Sequence, residues 1–374
     1  MPAEQPDHSA APDGAPELPS IQRGQGLRLS VHTPPPADSN PLPPPERSGP
    51  TRRGQGLRLS VHAPPPADSA PLPPADAAAT LDAALTPLRR LRLAHGELGY
   101  RQAGEGPPLL LIHGWGASSR YWFGALGSLA DIRTVYALDL PGFGDSPPLG
   151  APSTVARQAE LVVEFADALG IDQFDLNGHS FGGGVALYLA DHWPRRVRRL
   201  MLTSFGVPRS AFEQALFGLA QRPMDLALRL AQPWINLWRP LTSVVQPWAT
   251  GLLTLPPIQQ LVAGWYLERT SPDSSWLREG IVDFTRMDLG AHLACVASVG
   301  DPAFVVALGS IRTPTLLVSG HGDRVIPADD VCAAAEMVAG SRLVLLEQCG
   351  HVPMIEQSAP YHQALRDFLL DEAC

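Results

Sequence analysis

The chain has 374 residues and a net charge of −9, and all 28 of its basic residues are arginine. A chain of this length can bury a sizeable core, and it lacks the basic stripe that nucleic-acid binding requires, so we expect no nucleic-acid partner. The absence of lysine excludes a Schiff-base lysine, a pyridoxal-phosphate enzyme and a G-K-[ST] phosphate loop.

The four cysteines form no C-x-x-C pair: Cys295, Cys332, Cys349 and Cys374. They predict neither a disulfide framework nor a zinc site, and we expect no metal and no cofactor. The first 25 residues lack a charged region followed by an apolar one, so no secretory signal is expected. No uninterrupted apolar run reaches the roughly 18 residues of a membrane span. We therefore expect a cytoplasmic protein.

Residues 1–85 hold 19 of the 40 prolines and almost no aromatic residues. Such a segment buries too little apolar surface to offset its ordering entropy, so its composition predicts a disordered tail. The tail contains a tandem repeat, since residues 23–45 and 53–75 both begin R-G-Q-G-L-R-L-S-V-H. Two copies are too few for a solenoid. The repeat is either a pair of docking motifs or a recent duplication in a tail or over-extended reading frame, and the sequence favours the duplication.

From residue 90 the sequence alternates apolar strands with amphipathic helices. Residues 90–103 predict an edge hairpin. Further strands are expected at residues 108–113, 134–140, 173–177 and 197–204. Helices are expected near residues 121–129, over Thr154–Leu169 with Thr154 as the cap, and over Gly182–Trp193. This alternation predicts an α/β fold, a mostly parallel sheet with helices on both faces.

Residues 207–308 break this rhythm with a helical pattern punctuated by proline and without a convincing strand. Five of the eight tryptophans lie here: Trp234, Trp238, Trp248, Trp265 and Trp276. The alternation then resumes with strands at residues 315–319 and 342–346 and helices at Ala328–Val338 and Ala359–Leu370. The sequence therefore predicts a core of residues 90–206 and 309–374, with residues 207–308 as a helical cap over its active face.

Residues 178–182, G-H-S-F-G, have the G-x-S-x-G form of a nucleophile elbow between a predicted strand and a predicted helix. A sharp strand-to-helix turn holds the serine at strained backbone angles, and its neighbours two before and two after must be small. Gly178 and Gly182 meet that need. Ser180 is therefore the candidate nucleophile.

A serine hydroxyl needs a base to take its proton and a carboxylate to orient that base. His351 follows the last strand, and Asp323 follows the preceding one, so both fall at the carboxyl edge of the sheet where ligands of α/β folds bind. The chain order Ser180, Asp323, His351 is the nucleophile–acid–base order of this elbow. His321 precedes the acid and is interpreted as a loop residue, and Asp301, inside the predicted cap, is a weaker competitor for the acid.

Two backbone donors are needed to hold an oxyanion. The N–H of Phe181, next after the nucleophile, is one candidate, and the N–H of Trp115 in H-G-W-G (113–116) is the other. The Trp115 side chain either walls the pocket or simply packs. Three sequence neighbours of these groups are expected to line the substrate pocket: His113, Gly114 and His179.

Five motifs in order resemble the α/β-hydrolase superfamily: H-G-W-G-A-S, D-L-P-G-F-G-D-S, G-H-S-F-G-G-G, G-H-G-D-R-V-I-P and C-G-H-V-P. The resemblance runs from about residue 90 to residue 370 and leaves the tail without a counterpart. It implies an eight-stranded sheet, a helical cap after the sixth strand, and the triad Ser180, Asp323 and His351. Asp145 is interpreted as structural. A serine nucleophile disfavours the dehalogenase and epoxide-hydrolase branches, which use aspartate.

The resulting hypothesis is a serine hydrolase that cleaves a small-to-medium apolar ester or thioester through an acyl-enzyme. An acyltransferase or a cofactor-free peroxidase-like enzyme with the same triad is the alternative, and a non-catalytic binding protein is a third, disfavoured by the intact triad. The tryptophan-rich cap predicts an apolar substrate. It also admits a weak contact with a membrane interface, although packing of the tryptophans onto the sheet is favoured. The oligomeric state stays open.

Overall fold

The structure, a computed structural model, describes residues 58–62, 86–149, 153–268, 275–298 and 301–371. Its centre is a nine-stranded sheet in the order β1-β9-β8-β7-β6-β4-β5-β3-β2. The strands are β1 Arg58–His62, β2 Arg89–Leu93, β3 Gly96–Ala103, β4 Pro108–Ile112, β5 Thr134–Asp139, β6 Phe174–His179, β7 Val197–Thr203, β8 Thr315–Gly320 and β9 Arg342–Leu346.

The sheet is mostly parallel, as the alternation of strands and helices predicts. Only the hairpin strands β2 and β3 run against their neighbours: β3 pairs antiparallel with β2 and with β5, and all other pairs are parallel. The central strand β6 is buried along its whole length, as expected for a parallel sheet covered on both faces.

Eight of the nine strands are those of the predicted core, and the ninth is β1. It comes from the second copy of the repeat, inside the segment whose composition predicts disorder. The prediction is therefore wrong for Arg58–His62, which pair in parallel with β9 along its full length. The pairing partner lies almost 300 positions away, so no local pattern could have indicated it. The rest of residues 1–85, including the first copy of the repeat, lies outside the described residues.

Helices cover both faces of the sheet. Their buried side chains form two clusters, one on each side, which include Phe165 and Val185 on one face and Trp122 and Phe368 on the other. The core helices are α1 Phe123–Ser128, preceded by a 3₁₀ turn at Ser119–Trp122, α2 Val155–Ala168, α3 Phe181–His192, α9 Ala328–Met337, α10 Pro353–Glu356 and α11 Ser358–Leu370.

The α2 helix shows how local sequence sets these boundaries. Thr154 lies just before the helix in an extended conformation, and its hydroxyl accepts a hydrogen bond from the Arg157 N–H. This is the N-cap that the sequence predicts, since a threonine side chain satisfies one of the free N–H groups of the first turn.

The predicted cap is helical in its described residues. It consists of α4 Ala211–Leu253, α5 Pro256–Tyr266, α6 Ser275–Arg286, α7 Leu289–Ser298 and α8 Pro302–Ser310. The α4 helix is 43 residues long and continues through four prolines, where each proline removes one backbone hydrogen bond. No helix in the described part of the chain is both long enough and apolar enough to cross a bilayer.

The parallel strands bring the predicted site residues to one edge of the sheet. Ser180 follows β6, Asp323 follows β8 and His351 follows β9, while Trp115 follows β4. The carboxyl ends of these strands lie side by side because β4, β6, β7, β8 and β9 are consecutive neighbours in the sheet. The topology therefore collects residues that are up to 236 positions apart in the sequence, the separation of Trp115 and His351.

Candidate active site

Ser180 occupies the sharp turn between β6 and α3. Its backbone angles are φ 51° and ψ −116°, a region that residues other than glycine rarely adopt. Its N–H donates to the carbonyl of Thr203 in the neighbouring strand β7, at 2.9 Å. The sheet therefore holds the serine in this strained conformation, with its side chain only partly buried.

Close backbone contacts explain the two glycines that flank the nucleophile. A Cβ atom on Gly178 would lie 2.1 Å from the Gly182 carbonyl oxygen, and one on Gly182 would lie 2.4 Å from the His113 carbonyl oxygen. Both distances are far inside van der Waals contact, and backbone atoms cannot move aside as flexible side chains do. The turn therefore requires glycine at both positions, as the motif predicts.

The structure brings the three predicted triad residues together. Ser180 Oγ lies 3.1 Å from His351 Nε2, and His351 Nδ1 lies 2.8 Å from Asp323 Oδ2. The Asp323 carboxylate is fully buried and the imidazole nearly so. Both contacts are within hydrogen-bond reach of a nucleophile, a base and an orienting acid.

The backbone fixes the acid and the base. Asp323 Oδ1 accepts hydrogen bonds from the N–H groups of Val325 and Ile326, at 2.8 and 2.9 Å. Because the carboxylate accepts at Nδ1, the proton of the neutral imidazole resides there, and Nε2 is free to accept from the serine hydroxyl. The His351 N–H donates to the carbonyl of Tyr266, 2.8 Å away in the cap, so the cap helps to hold the base.

The two candidate oxyanion donors follow neighbouring strands of the sheet, β6 and β4. Phe181 is the first residue of α3, where N–H groups have no partner within the helix, and Trp115 lies in the loop after β4. Within the residues that the structure describes, neither backbone N–H donates a hydrogen bond to a protein acceptor. Both remain available to a ligand atom.

His113 and His179, predicted to line the substrate pocket, are buried and hydrogen-bonded to backbone groups. His113 Nδ1 donates to the Gly114 carbonyl at 2.8 Å, and its Nε2 accepts from the Leu140 N–H at 3.0 Å. His179 Nε2 donates to the His351 carbonyl at 2.9 Å. Burial lowers the pKa of both histidines, so each ring is neutral and ties one loop to the next.

Gly114 lies against one of these buried rings. A Cβ at this position would lie 2.7 Å from His179 Nδ1, so the glycine allows the buried ring to pack against the loop. His113, Gly114 and His179 thus pack among the loops around Ser180 and His351, and their contact with substrate stays a prediction.

The other acidic and histidine candidates have structural roles. Asp301 caps α8 by accepting from the Ala303 N–H at 2.9 Å. His321 is exposed and lies 3.7 Å from Glu347. Asp145, interpreted from the sequence as structural, pairs with Arg120 at 3.1 Å. None of these contacts involves the triad.

A cavity of about 190 Å³ opens between the cap and the core. Twelve residues line it: Trp115, Gly116, Tyr121, Leu253, Val262, Tyr266, Trp276, Leu277, Gly280, Ile281, Phe284 and Val352. Ser180 is not among them, but Val352 directly follows the base, and the Tyr266 ring centre lies 5.8 Å from that of His351. The cavity is thus adjacent to the triad, and its wall is almost entirely apolar and aromatic.

Most of these wall residues were missed by the sequence analysis, because they come from the cap. Trp115 is the exception: its ring lines the cavity and lies 5.8 Å from Phe284 and 5.0 Å from His292. The strong amphipathic pattern of α6 was a usable signal, since Leu277, Ile281 and Phe284 recur at helical spacing. That pattern identifies an inward face but not what the face encloses.

A buried ion pair ties the cap to the core beside this cavity. Asp283 on α6 accepts from Arg120 at 2.7 Å and from the Ser118 hydroxyl at 2.5 Å. Burial raises the pKa of Asp283 to about 6, although the Arg120 charge acts in the opposite direction. The described residues contain no cluster of histidine, cysteine or acidic side chains that could hold a metal ion.

The chain is similar to known proteins in sequence and in structure. A family model described as "Alpha/beta hydrolase family" matches residues 109–364. Two relatives are the dihydrolipoyllysine-residue acetyltransferase component of an acetoin cleaving system from Cupriavidus necator and a 2-hydroxymuconate semialdehyde hydrolase from Pseudomonas putida. The first is 42% identical over 79% of this chain and 70% of its own length, and the second 30% identical over 73% and 92%.

Among solved structures, one resembling this chain is the crystal structure of a membrane phospholipase A described as a bacterial virulence factor. It matches with a TM-score of 0.57 and 26% identity, covering 79% of this chain and 90% of the other.

The close packing at the elbow leads to a stability prediction. We expect Gly182→Ala to lower the free energy of unfolding by roughly 2 kcal/mol or more, because the new Cβ overlaps the His113 carbonyl. Urea titration of both proteins measures the difference. Gly309→Ala in α8 is the control, since nothing lies within 4 Å of a Cβ there, and it is expected to be neutral or stabilising. A Gly182→Ala protein as stable as the control would contradict the close contact.

The Asp283 carboxyl leads to a pH prediction. Its pKa is about 6 in the folded chain against an ordinary 3.8, so between these values the folded state holds a proton that the unfolded state has lost. The group therefore stabilises the fold less as pH rises from about 4 to about 6, by up to roughly 3 kcal/mol. Asp283→Asn removes this titration.

The measurement is urea unfolding of wild type and Asp283→Asn at a series of pH values. We expect the stability of wild type relative to the variant to fall across this window and to be constant above it. A relative stability that rises with pH would mean that the Arg120 charge outweighs burial.

Proposed function

The chain belongs to the alpha/beta hydrolase family, and on this basis we propose that it is a serine hydrolase acting on an apolar carboxylic ester or thioester. The observation that carries the proposal is the Ser180–His351–Asp323 chain of contacts, at 3.1 and 2.8 Å. A hydroxyl, an imidazole and a buried carboxylate in this order form the arrangement that activates serine for acyl transfer.

In the proposed reaction, Ser180 Oγ attacks the ester carbonyl carbon while its proton passes to His351 Nε2. The N–H groups of Phe181 and Trp115 hold the resulting oxyanion, and Asp323 stabilises the imidazolium. The C–O bond then breaks, and the alcohol leaves with the proton from His351. Water, deprotonated by His351, attacks the acyl-enzyme, which releases the acid and returns the proton to Ser180.

The cavity supports an apolar acyl or alcohol group. Its wall offers few polar atoms, and burial raises the pKa of the Tyr121 phenol, so that group is neutral as well. A charged substrate moiety would lose its hydration here without compensation. A volume of about 190 Å³ suits a small-to-medium group.

The proposal is tested by treating wild type and Ser180→Ala with a fluorophosphonate and measuring intact mass, together with p-nitrophenyl ester turnover. We expect one adduct on wild type and none on the variant, with turnover falling roughly 10⁴-fold in Ser180→Ala and in His351→Ala. His321→Ala is the matched control, because this exposed histidine does not contact the triad, and it should retain activity. A labelled Ser180→Ala protein would refute the assignment of the nucleophile.

Acyl transfer is the second candidate, and it is favoured by the relative named as an acetyltransferase at 42% identity. The acyl-enzyme is common to both reactions, and only the acceptor differs. A dry cavity favours a non-water acceptor because it limits competing hydrolysis. Adding an alcohol or a thiol to the ester assay separates the two: acyl transfer yields a new ester or thioester, whereas hydrolysis yields the free acid alone.

We also propose that the cap contacts a lipid surface. The outer face of α4 and α5 exposes thirteen large apolar side chains: Leu226, Leu230, Trp234, Leu237, Trp238, Leu241, Val244, Val245, Trp248, Leu252, Leu255, Leu261 and Trp265. On α4 these residues recur three or four positions apart, which forms one stripe along the helix. We call this set the apolar cap face.

Charge and position favour lipid as the occupant of the apolar cap face. Residues 230–267 contain a single charged residue, Arg239, and it pairs with Asp288 at 2.7 Å. Exposed tryptophan, such as Trp248 at 81%, is typical of side chains that sit at a lipid–water boundary. The face also adjoins the cavity, because exposed Leu252 and Leu261 directly precede the wall residues Leu253 and Val262.

Vesicle flotation with phosphatidylcholine tests this contact. We expect the wild type to float with the vesicles. Leu237→Asp with Leu261→Asp should reduce the bound fraction at least about tenfold, since each change places a charge where an apolar side chain would be buried in the lipid. Val306→Asp with Leu370→Asp, two exposed apolar residues outside the face, is the matched control and should bind as wild type does. If the wild type does not float, and light scattering shows a dimer that the first pair of substitutions dissociates, the face is an interface between two copies of the chain.

A further inference from the structure

The strand β1 belongs to a sequence that occurs twice in the chain. Residues 23–32 and 53–62 are both R-G-Q-G-L-R-L-S-V-H, identical at all ten positions. The strand Arg58–His62 is the second half of the second copy. The first copy contains the same five residues as Arg28–His32, which lie outside the described residues. The chain therefore carries two identical candidates for one structural position.

The site that β1 occupies is the edge of β9 that faces away from β8. The five residues of β1 pair with Arg342–Leu346 in parallel, from Arg58 opposite Arg342 to His62 opposite Leu346. Four consecutive residues of β9 are apolar and buried. An apolar edge strand without a partner would present its N–H and C=O groups to any extended chain. The β9 edge is therefore a docking groove, and this repeat sequence is what fills it.

Chain length allows either copy to reach the groove. The strands β1 and β2 lie at opposite edges of the nine-stranded sheet, about 38 Å apart at ~4.8 Å per strand. The connection over residues 63–88 can span up to about 85 Å at full extension. The connection from the first copy, over residues 33–88, is roughly twice as long and reaches further.

The difference in connection length changes occupancy only modestly. The effective concentration of a tethered segment falls as about the −3/2 power of linker length, so the first copy is disfavoured by only ~3-fold. We expect equal intrinsic affinities of the two copies for the groove, because their sequences are identical.

We propose that the β9 edge is a strand-docking site for which the two repeat copies of the same chain are interchangeable ligands. The first copy, Arg28–His32, occupies the groove in a minority of molecules, in the register seen for Arg58–His62. The exchange alters which part of the N-terminal segment is tied to the sheet: with the second copy docked, residues 1–57 precede the docked strand, and with the first copy docked, only residues 1–27 do. The duplication thus gives the tail two attachment points.

Proline substitution in each copy of the full-length chain tests this proposal. In a parallel strand only every second N–H group faces a given partner. Of two adjacent residues one therefore donates to β9, and a pair of adjacent prolines removes that donor. The variants are Ser60→Pro with Val61→Pro in the second copy, Ser30→Pro with Val31→Pro in the first copy as the matched control, and all four together. Hydrogen exchange of the Arg342–Leu346 amides, followed by mass spectrometry, reports whether the groove is filled.

We expect both two-proline variants to keep β9 protection within about fourfold of wild type, since the intact copy fills the groove. The four-proline variant should exchange at least about tenfold faster at the β9 amides that face away from β8. Three results would overturn the proposal. The second-copy variant could exchange as fast as the four-proline variant, which would make β1 the sole ligand. The four-proline variant could retain wild-type protection, which would mean that the repeat does not dock. Protection in the second-copy variant could fall on dilution, which would show docking between two chains.

Discussion

The close approach of α3 to the end of β4 is the constraint on which the rest of the site depends. A Cβ on Gly182 would lie 2.4 Å from the His113 carbonyl oxygen, so the helix and the loop are as near as backbone atoms allow. This contact brings the first N–H of α3 beside the loop that carries the Trp115 N–H. It also turns the chain so sharply that Ser180 takes a positive φ. The positions of Ser180 and of the two candidate oxyanion donors therefore all depend on the absence of side chains at Gly178 and Gly182.

Neutral buried histidines connect this turn to the base. His113 joins the loop after β4 to the end of β5, and His179 joins the elbow to the His351 carbonyl. Burial lowers both pKa values, although the nearby Asp139 charge acts in the opposite direction on His113. Each neutral ring donates one hydrogen bond to a backbone carbonyl, His113 to that of Gly114 and His179 to that of His351. The carboxylate in contact with His351 is that of Asp323, which also accepts from two backbone N–H groups.

The sequence predicts the parts of this protein that local chemistry determines. The meeting of Ser180, Asp323 and His351 was predictable because each lies in a short motif whose glycine, proline and polar residues force one backbone geometry, as the Thr154 cap does for α2. The burial of His113 and His179 was not predictable, because a motif does not give the direction of a side chain. Most of the wall comes from the cap, where Phe284 and Tyr266 are distant in sequence from the triad. The strand β1 was not predictable for the same reason, since its pairing with β9 depends on a distant partner and not on composition.

The cap is attached to the loops that carry the site, and this links substrate access to catalytic geometry. Its residue Tyr266 accepts from the His351 N–H, Asp283 holds Ser118 and Arg120 next to the Trp115 loop, and the Asp288 N–H donates to the Gly142 carbonyl after β5. A cap that moved as a rigid body would have to break these contacts together, and so would disturb the base and one oxyanion donor at the same time. We therefore expect movement of the cap and loss of the Ser180–His351–Asp323 contacts to be coupled. In the structure the wall residues Leu253 and Val262 face the cavity while Leu252 and Leu261 face outward. An apolar molecule that leaves a lipid surface at the apolar cap face would meet the cavity within one turn of the same helices, without crossing a polar boundary.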